Sequence, residues 1–127
     1  MKLHHLGIAC ADIKETLAMI KKMFPVTGQT AIIHDPEQNA DLCLVSVLES
    51  PPLELISGPV VDTLVKKGVL LYHTCWAVDD LEAVIARFCE TGCRLISGPK
   101  KAVLFDDRRV AFLITPTGFM ELLEVSR

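Results

Sequence analysis

Leu71-Tyr72-His73-Thr74-Cys75-Trp76-Ala77-Val78-Asp79-Asp80 decides how this chain is read, because it nearly repeats Leu3-His4-His5-Leu6-Gly7-Ile8-Ala9-Cys10-Ala11-Asp12. With His5 laid on His73, Ala9 falls on Ala77, Asp12 on Asp80 and Ile13 on Leu81, all at one constant offset. A second pair of segments, Leu53-Glu54-Leu55-Ile56 and Met120-Glu121-Leu122-Leu123, repeats at an offset one residue shorter. The chain reads as one module written twice, each copy opening on a His and closing on a Glu.

The short apolar run from Leu3 to Cys10 predicts a strand. Side chains alternate along it, so His5, Gly7 and Ala9 share one face and Leu6, Ile8 and Cys10 the other. The first face carries an imidazole beside two very small residues and has room over it; the second suits packing beneath a helix. Asp12 caps that helix, with Glu15 completing an Asp version of the capping box. Ile13, Leu17, Ile20 and Phe24 draw its apolar stripe until Pro25 ends it.

Strands are then expected over residues 28–33, 42–48 and 53–57, with the polar segment 34–41 as a turn. Pro59, the Val60/Leu64 pair and Gly68 predict a short helical connector. The second copy restates the plan: a strand over 70–78, a cap at Asp79 or Asp80, and a helix through Leu81, Val84, Ile85 and Phe88 stopping at Gly92. Strands follow over 94–96, 102–105, 109–115 and 119–125, with turns at Asp106-Asp107 and Pro116-Thr117-Gly118. The expected class is α+β, with β-α-β-β-β in each half. One domain spans residues 1–127, with modules of about 1–58 and 70–127 joined by a connector over 59–69.

The 127 residues suffice to bury roughly two-thirds of the unfolded surface, and 50% apolar with 23% charged residues is ordinary for a globular protein. A net charge of −3 lacks the basic footprint of a nucleic-acid binder. No apolar run reaches the ~18 residues of a membrane span, and no charged leader precedes an apolar segment at the N-terminus. A cytoplasmic protein without a membrane partner is expected. The five cysteines, Cys10, Cys43, Cys75, Cys89 and Cys93, form no C-x-x-C pair and read as reduced thiols.

His5, Glu54, His73 and Glu121 are repeated in kind and position, and all four bear metal-binding atoms. Two imidazoles and two carboxylates suit Zn²⁺, Ni²⁺, Co²⁺, Mn²⁺ or Fe²⁺ rather than Ca²⁺ or Mg²⁺. The same-face strand neighbours of the two glutamates are Ile56, Phe119 and Leu123. A carboxylate in such company is costly unless it is paired or metal-bound. Taken singly, a strand His is more often a core group and a strand Glu more often solvated; the shared register of all four points to one partly enclosed site.

Other candidates weigh less. His4 faces away from His5 by strand parity, and His34 falls in the polar segment. Cys75 shares a face with His73, Trp76 is expected in the core, and Cys89 and Cys93 read as packing. Arg108 and Arg109 are cations open either to an anionic substrate or, as a hairpin pair, to solvent. Gly58-Pro59 and Gly98-Pro99 lack the spacing of a phosphate loop.

The doubled module, with its His, Glu, His and Glu on the first and last strands of each half, resembles the vicinal oxygen chelate superfamily. The matching segments are HHLGIACADI, YHTCWAVDDLEAVI, RRVAFLITPTG and MELLE, and the similarity covers essentially the whole chain. It implies a curved, barrel-like sheet around a metal-binding cleft. It also implies that His5, Glu54, His73 and Glu121 hold one divalent ion, Ni, Co or Zn, with positions left for substrate oxygens.

Two branches of that superfamily compete. Glyoxalase I (lactoylglutathione lyase) isomerises the hemithioacetal of methylglyoxal and glutathione, whereas methylmalonyl-CoA epimerase inverts the carbon next to a thioester. Both remove a proton beside a carbonyl and stabilise the resulting oxyanion. Bacterial glyoxalase I carries carboxylates at both Glu positions, as this chain does. The epimerases typically have Gln at the first and a separate Glu on an earlier strand, where an ungapped alignment puts Cys43. The short chain and the segment between Ser57 and Tyr72 are closer in style to the epimerases, and no glutathione-binding set stands out.

Dioxygenases of this scaffold usually keep only one Glu, which Glu54 argues against. The resemblance therefore implies a glyoxalase I type lyase or isomerase with Glu54 or Glu121 as the base. An acyl-CoA epimerase is the alternative and a non-catalytic binding protein the third reading. The expected substrate is a glutathione hemithioacetal or an acyl-CoA, and equal strand lengths with unbroken apolar faces suggest a homodimer.

Overall fold

The structure, a computed structural model, describes residues 1–126. In chain order the elements are β1 (Lys2–Ala9), α1 (Ile13–Met23), β2 (Val26–Gln29), β3 (Ile33–Asp35), β4 (Ala40–Val47), β5 (Leu53–Ser57) and α2 (Pro59–Lys66). They continue with β6 (Leu71–Val78), α3 (Leu81–Glu90), β7 (Arg94–Ala102), β8 (Arg108–Thr115) and β9 (Gly118–Glu124). This is a mixed α+β chain, as expected. Its described residues fall into two units, one of residues 5–72 and one of Met1–His4 with residues 73–126.

In the unit of residues 5–72 the strands lie in the order β2, β4, β5, β1, with β3 also paired to β4. β1 and β5 run parallel, and the other pairings are antiparallel. The Asp12 carboxylate accepts a hydrogen bond from the Glu15 backbone N–H at 3.2 Å and so starts α1. Ile13, Leu17 and Ile20 then pack onto Cys10, Cys43, Val45 and Leu55. Phe24, expected as the fourth member of the stripe, is instead the extended C-cap and is 42% exposed. Pro25 disfavours a helical conformation in the residue before it and ends the stripe a turn early.

The polar segment 34–41 is also more structured than its composition implies. His34 lies in β3 opposite Asp41, with Nδ1 to Oδ1 at 2.9 Å, so strand occupies both ends and the turn is confined to residues 36–39. Buried Asp35 holds that turn by accepting from the Glu37 N–H and the Gln38 side-chain amide. The first half thus has one strand more than the repeat implies, and β2 begins two residues earlier than expected. The connector is the helix α2, entered through Gly58 at φ 125°, where an added Cβ would stand 2.7 Å from the Asn39 carbonyl oxygen.

In the other unit the order is β6, β9, β8, β7, with β6 parallel to β9 and hairpins thereafter. Asp80, not Asp79, caps α3, accepting from the Ala83 N–H at 3.0 Å. Leu81 and Val84 pack with Val78, Ala111, Leu113 and Leu122, and Trp76, Ile85 and Phe88 cover the cluster. Truncating a fully buried Leu113 or Leu122 to Ala is an event of about 2–5 kcal/mol.

The two short strands expected over 94–96 and 102–105 are replaced by the single strand β7, and Val103–Phe105 forms a turn of 3-10 helix. Gly98 allows this continuity: at φ 92° it passes the Val110 carbonyl where a Cβ would have no room, and the pairing resumes at Lys100. Asp106 and Asp107, both left-handed, then reverse the chain. Among the described residues no helix is long and apolar enough to cross a membrane.

Arg109 ties this unit's sheet to its helix. Its Nε donates to Glu124 Oε2 at 2.8 Å and its terminal nitrogens donate to Glu82 and Glu124. The guanidinium holds the Glu82 carboxyl below its usual range, first through the hydrogen bond it donates. A carboxylate with a depressed pKa adds stability above its ordinary titration range and loses that stability as pH falls through the depressed value. Arg109→Met is therefore expected to melt below the wild type at neutral pH, by a margin that narrows as pH falls below about 4. Calorimetric Tm values across that range measure it, and a pH-independent gap would show that the Glu82 link contributes nothing.

Candidate metal centre

Each unit contributes one buried His–Glu pair, assembled in the same way. In the unit of residues 5–72 the parallel pairing of β1 and β5 puts Glu54 beside Gly7, and His5 lies two residues back on the same face. On the other side of Glu54 the antiparallel partner is Leu44. His5 Nε2 stands 3.5 Å from Glu54 Oε1, and the side chains are 0% and 6% exposed.

In the unit containing residues 73–126, β6 beside β9 puts Cys75 next to Glu121, with His73 two residues back. The antiparallel partner of Glu121 is Phe112. His73 Nε2 stands 3.3 Å from Glu121 Oε1 at side-chain exposures of 0% and 5%. The Phe112 ring meets the His73 imidazole edge to face, with centroids 5.2 Å apart and planes at 88°, and so fixes the plane of the ring.

Both separations exceed the ~2.7–2.9 Å of a charge-assisted N–H···O bond. They match the spacing of two donors on one cation. With bonds of about 2.1 Å, neighbouring ligands lie roughly 3.0 Å apart at a right angle and roughly 3.4 Å apart at a tetrahedral one. All four residues are possible ligands by donor type and burial, and a nitrogen–oxygen set of this kind suits a borderline transition metal. The residues therefore fit a divalent metal, pair by pair.

The other sequence candidates differ in their surroundings. His4 turns its ring onto Phe105, edge to face at 5.4 Å. His34 is engaged with Asp41, both about half exposed. Cys10, Cys43 and Cys75 are buried free thiols and Cys89 is exposed; burial pushes the Cys10 thiol up. Trp76 donates to the Thr74 hydroxyl at 3.0 Å while packing on the core.

Cys43 does not occupy the position of a carboxylate base. It pairs with Leu55, bonds the Thr30 carbonyl and lies in the core under α1, whereas Leu44 is the residue beside Glu54. Leu44 and Phe112 are the neighbours that sequence inspection missed. The Thr115 to Gly118 turn sets a register that places Phe112 opposite Glu121, so that partner was open to counting from the Pro116-Thr117-Gly118 turn.

A family model described as Glyoxalase/Bleomycin resistance protein/Dioxygenase superfamily matches residues 4–112. No curated protein matches the sequence. Among solved structures, methylmalonyl-CoA epimerase from Mycobacterium tuberculosis is similar at a TM-score of 0.81 and 21% identity, over 99% of this chain and 89% of that one. A variant of Streptomyces coelicolor methylmalonyl-CoA epimerase, in complex with 2-nitronate-propionyl-CoA, is similar at 0.75 and 21%, over 99% of each chain. A hypothetical protein from Bacillus halodurans C-125 is similar at 0.76 and 25%, over 99% and 95%. At such identities the two epimerases share the fold.

The placement of Cys43 and Leu44 is open to test. Cys43→Asp buries a charge in the core and is expected to lower Tm by roughly 10 °C or more. Leu44→Asp, at a half-buried position, is expected to cost less. The reverse order in thermal denaturation would put Cys43, not Leu44, on the face of Glu54.

Proposed function

The chain belongs to the Glyoxalase/Bleomycin resistance protein/Dioxygenase superfamily, and from that premise we propose that it is a metal-dependent epimerase that moves the proton on the carbon next to an acyl-CoA thioester carbonyl. The observation that carries this reading is the pair of buried His–Glu contacts, repeated in both halves of the chain. His5 with Glu54, and His73 with Glu121, are the residues proposed to hold a divalent cation, Ni, Co or Zn. When bound, the cation supplies a Lewis acid for negative charge developing on a carbonyl oxygen.

The chain's own residues handle the proton. Inversion requires that it leave one face of the carbon and arrive on the other, a task suited to two carboxylates. Glu54 and Glu121 are the groups proposed for it. Gly7 leaves the space beside Glu54 without a side chain, and Phe112 orients His73 next to Glu121. An acyl-CoA as substrate is supported by the likeness, over nearly the full chain, to methylmalonyl-CoA epimerases.

Lactoylglutathione lyase activity is the second reading. It is favoured by one observation: the residue opposite Glu54 is Leu44, so β4 offers no separate carboxylate there and the proton chemistry falls on the two glutamates. The two readings share the proton step and differ in the thiol that carries the substrate.

Metal analysis and isotope exchange test the proposal together. The purified protein is expected to bind about one equivalent of Zn²⁺, Co²⁺ or Ni²⁺ and, in D₂O, to place deuterium at the α-carbon of methylmalonyl-CoA. Glu121→Gln is expected to slow that exchange by roughly 10²-fold or more. Absence of exchange, with thioester formed from methylglyoxal and glutathione, would move the assignment to the lyase. Absence of metal and of both activities would leave a binding protein.

A further inference from the structure

We propose, on the basis of the acyl-CoA reading above, that Lys100 and Arg108 receive the phosphate end of the CoA moiety. Strand register places these groups. Phe112 stands opposite Glu121 and Val110 opposite Leu123, while Lys100 stands opposite Val110 and Arg108 opposite Ala102. Directly paired residues share a face and alternate residues return to it. His73, Glu121, Phe112, Val110, Lys100 and Arg108 therefore lie on one face of this unit's sheet.

The face changes character along its length. It begins with the buried His73–Glu121 pair, continues over Phe112, Val110 and Ala102, which are buried as well, and opens to solvent at two half-buried cations. Arg108 lies four residues along β8 from Phe112, roughly 13 Å at the rise of a strand. A thioester whose reacting carbonyl is joined through a long neutral arm to phosphates has that same order of groups.

Arg108 and Arg109 divide their roles by parity. Arg109 faces the helix side and is committed to Glu82 and Glu124. Arg108 Nε donates to the Phe105 carbonyl at 3.1 Å, which anchors the guanidinium, and among the described residues its terminal nitrogens make no hydrogen bond. Lys100 and Arg108 are half-buried, and among the described residues neither is in an ion pair. A guanidinium held by one donor and offering two more is suited to phosphate. Asp106 and Asp107 in the adjoining turn are exposed, where water and salt screen them.

The test compares two substrates with the same acyl group, methylmalonyl-CoA and methylmalonyl-pantetheine, the second lacking phosphate. In the Lys100→Ala, Arg108→Ala double variant, KM for α-proton exchange on the CoA thioester is expected to rise roughly tenfold or more, with kcat unchanged. Both constants for the pantetheine thioester are expected to stay at wild-type values. Lys101→Ala, on the other face, serves as control and is expected to change neither substrate. Adenosine 3′,5′-bisphosphate, titrated calorimetrically, reads the same contact without turnover and is expected to bind the wild type and not the double variant. Should the double variant fail to fold, Arg108→Gln, which keeps a donor for the Phe105 carbonyl, is expected to show the same substrate-selective rise in smaller measure.

Wild-type protein that exchanges neither thioester refutes the acyl-CoA reading, and the bisphosphate titration then judges the cation pair by itself. A rise in KM for both thioesters alike assigns the cations to the acyl carboxylate and overturns the proposal. So does a KM for the CoA thioester that the substitutions leave unchanged, or bisphosphate binding that is absent or indifferent to them.

Discussion

A carboxylate on a dry strand face needs a positive partner, and Glu54 and Glu121 are 4% exposed each. That requirement organises the rest of the chain. Each Glu is delivered by a strand lying parallel to the strand that carries its His, so the two groups come together without a loop having to place either. A parallel neighbour requires a crossover, and in each unit a helix and further strands of the module supply it. A strand, a helix and three or four further strands in each half thus serve to return a Glu beside a His, on a rigid element, in a position closed to water.

Strand parity then divides the work between the two faces of each sheet. In the unit of residues 5–72, Cys43 and Leu55 face α1 and complete the core, while Leu44 and Glu54 face the other way. In the unit containing residues 73–126, Ala111, Leu113 and Leu122 face α3, while Phe112 and Glu121 face the other way. A shift of one residue exchanges every side chain between the faces. Such a shift separates Cys43 from the role of a base, and it makes Arg109 a structural ion-pair partner while its neighbour Arg108 stays open to an anion.

Much of this was legible in the sequence, and what was not has identifiable causes. The His and Glu positions, the Asp12 cap, a second cap at Asp79 or Asp80, and the core stripes of both helices short of Phe24 follow from local rules of alternation, capping and periodicity. The strand at His34 was hidden because its composition is that of a turn and only its pairing with β4 makes it strand. β7 was cut in two because Gly-Pro reads as a break, whereas Gly98 lets the strand pass close to the Val110 carbonyl and resume. The surroundings of the two glutamates depend on antiparallel register. An ungapped alignment puts Cys43 at the position of the epimerases' separate Glu, and the strand pairing turns Cys43 into the core and places Leu44 beside Glu54.

The repeat is faithful in its ligand atoms and unfaithful in what surrounds them, and that difference bears on how two similar glutamates would serve an inversion. Glu54 has Gly7 on one side and Leu44 on the other. Glu121 has the buried Cys75 on one side, Phe112 on the other, and a His73 ring held in plane by that same Phe112. The neighbour of Glu54 on β1 thus carries no side chain, whereas Glu121 lies between a thiol and an aromatic ring. Under the proposed function the two glutamates would therefore carry the proton from different packing environments. An exchange between two faces of a carbon asks that each group reach its own face, and the two groups can be chemically alike.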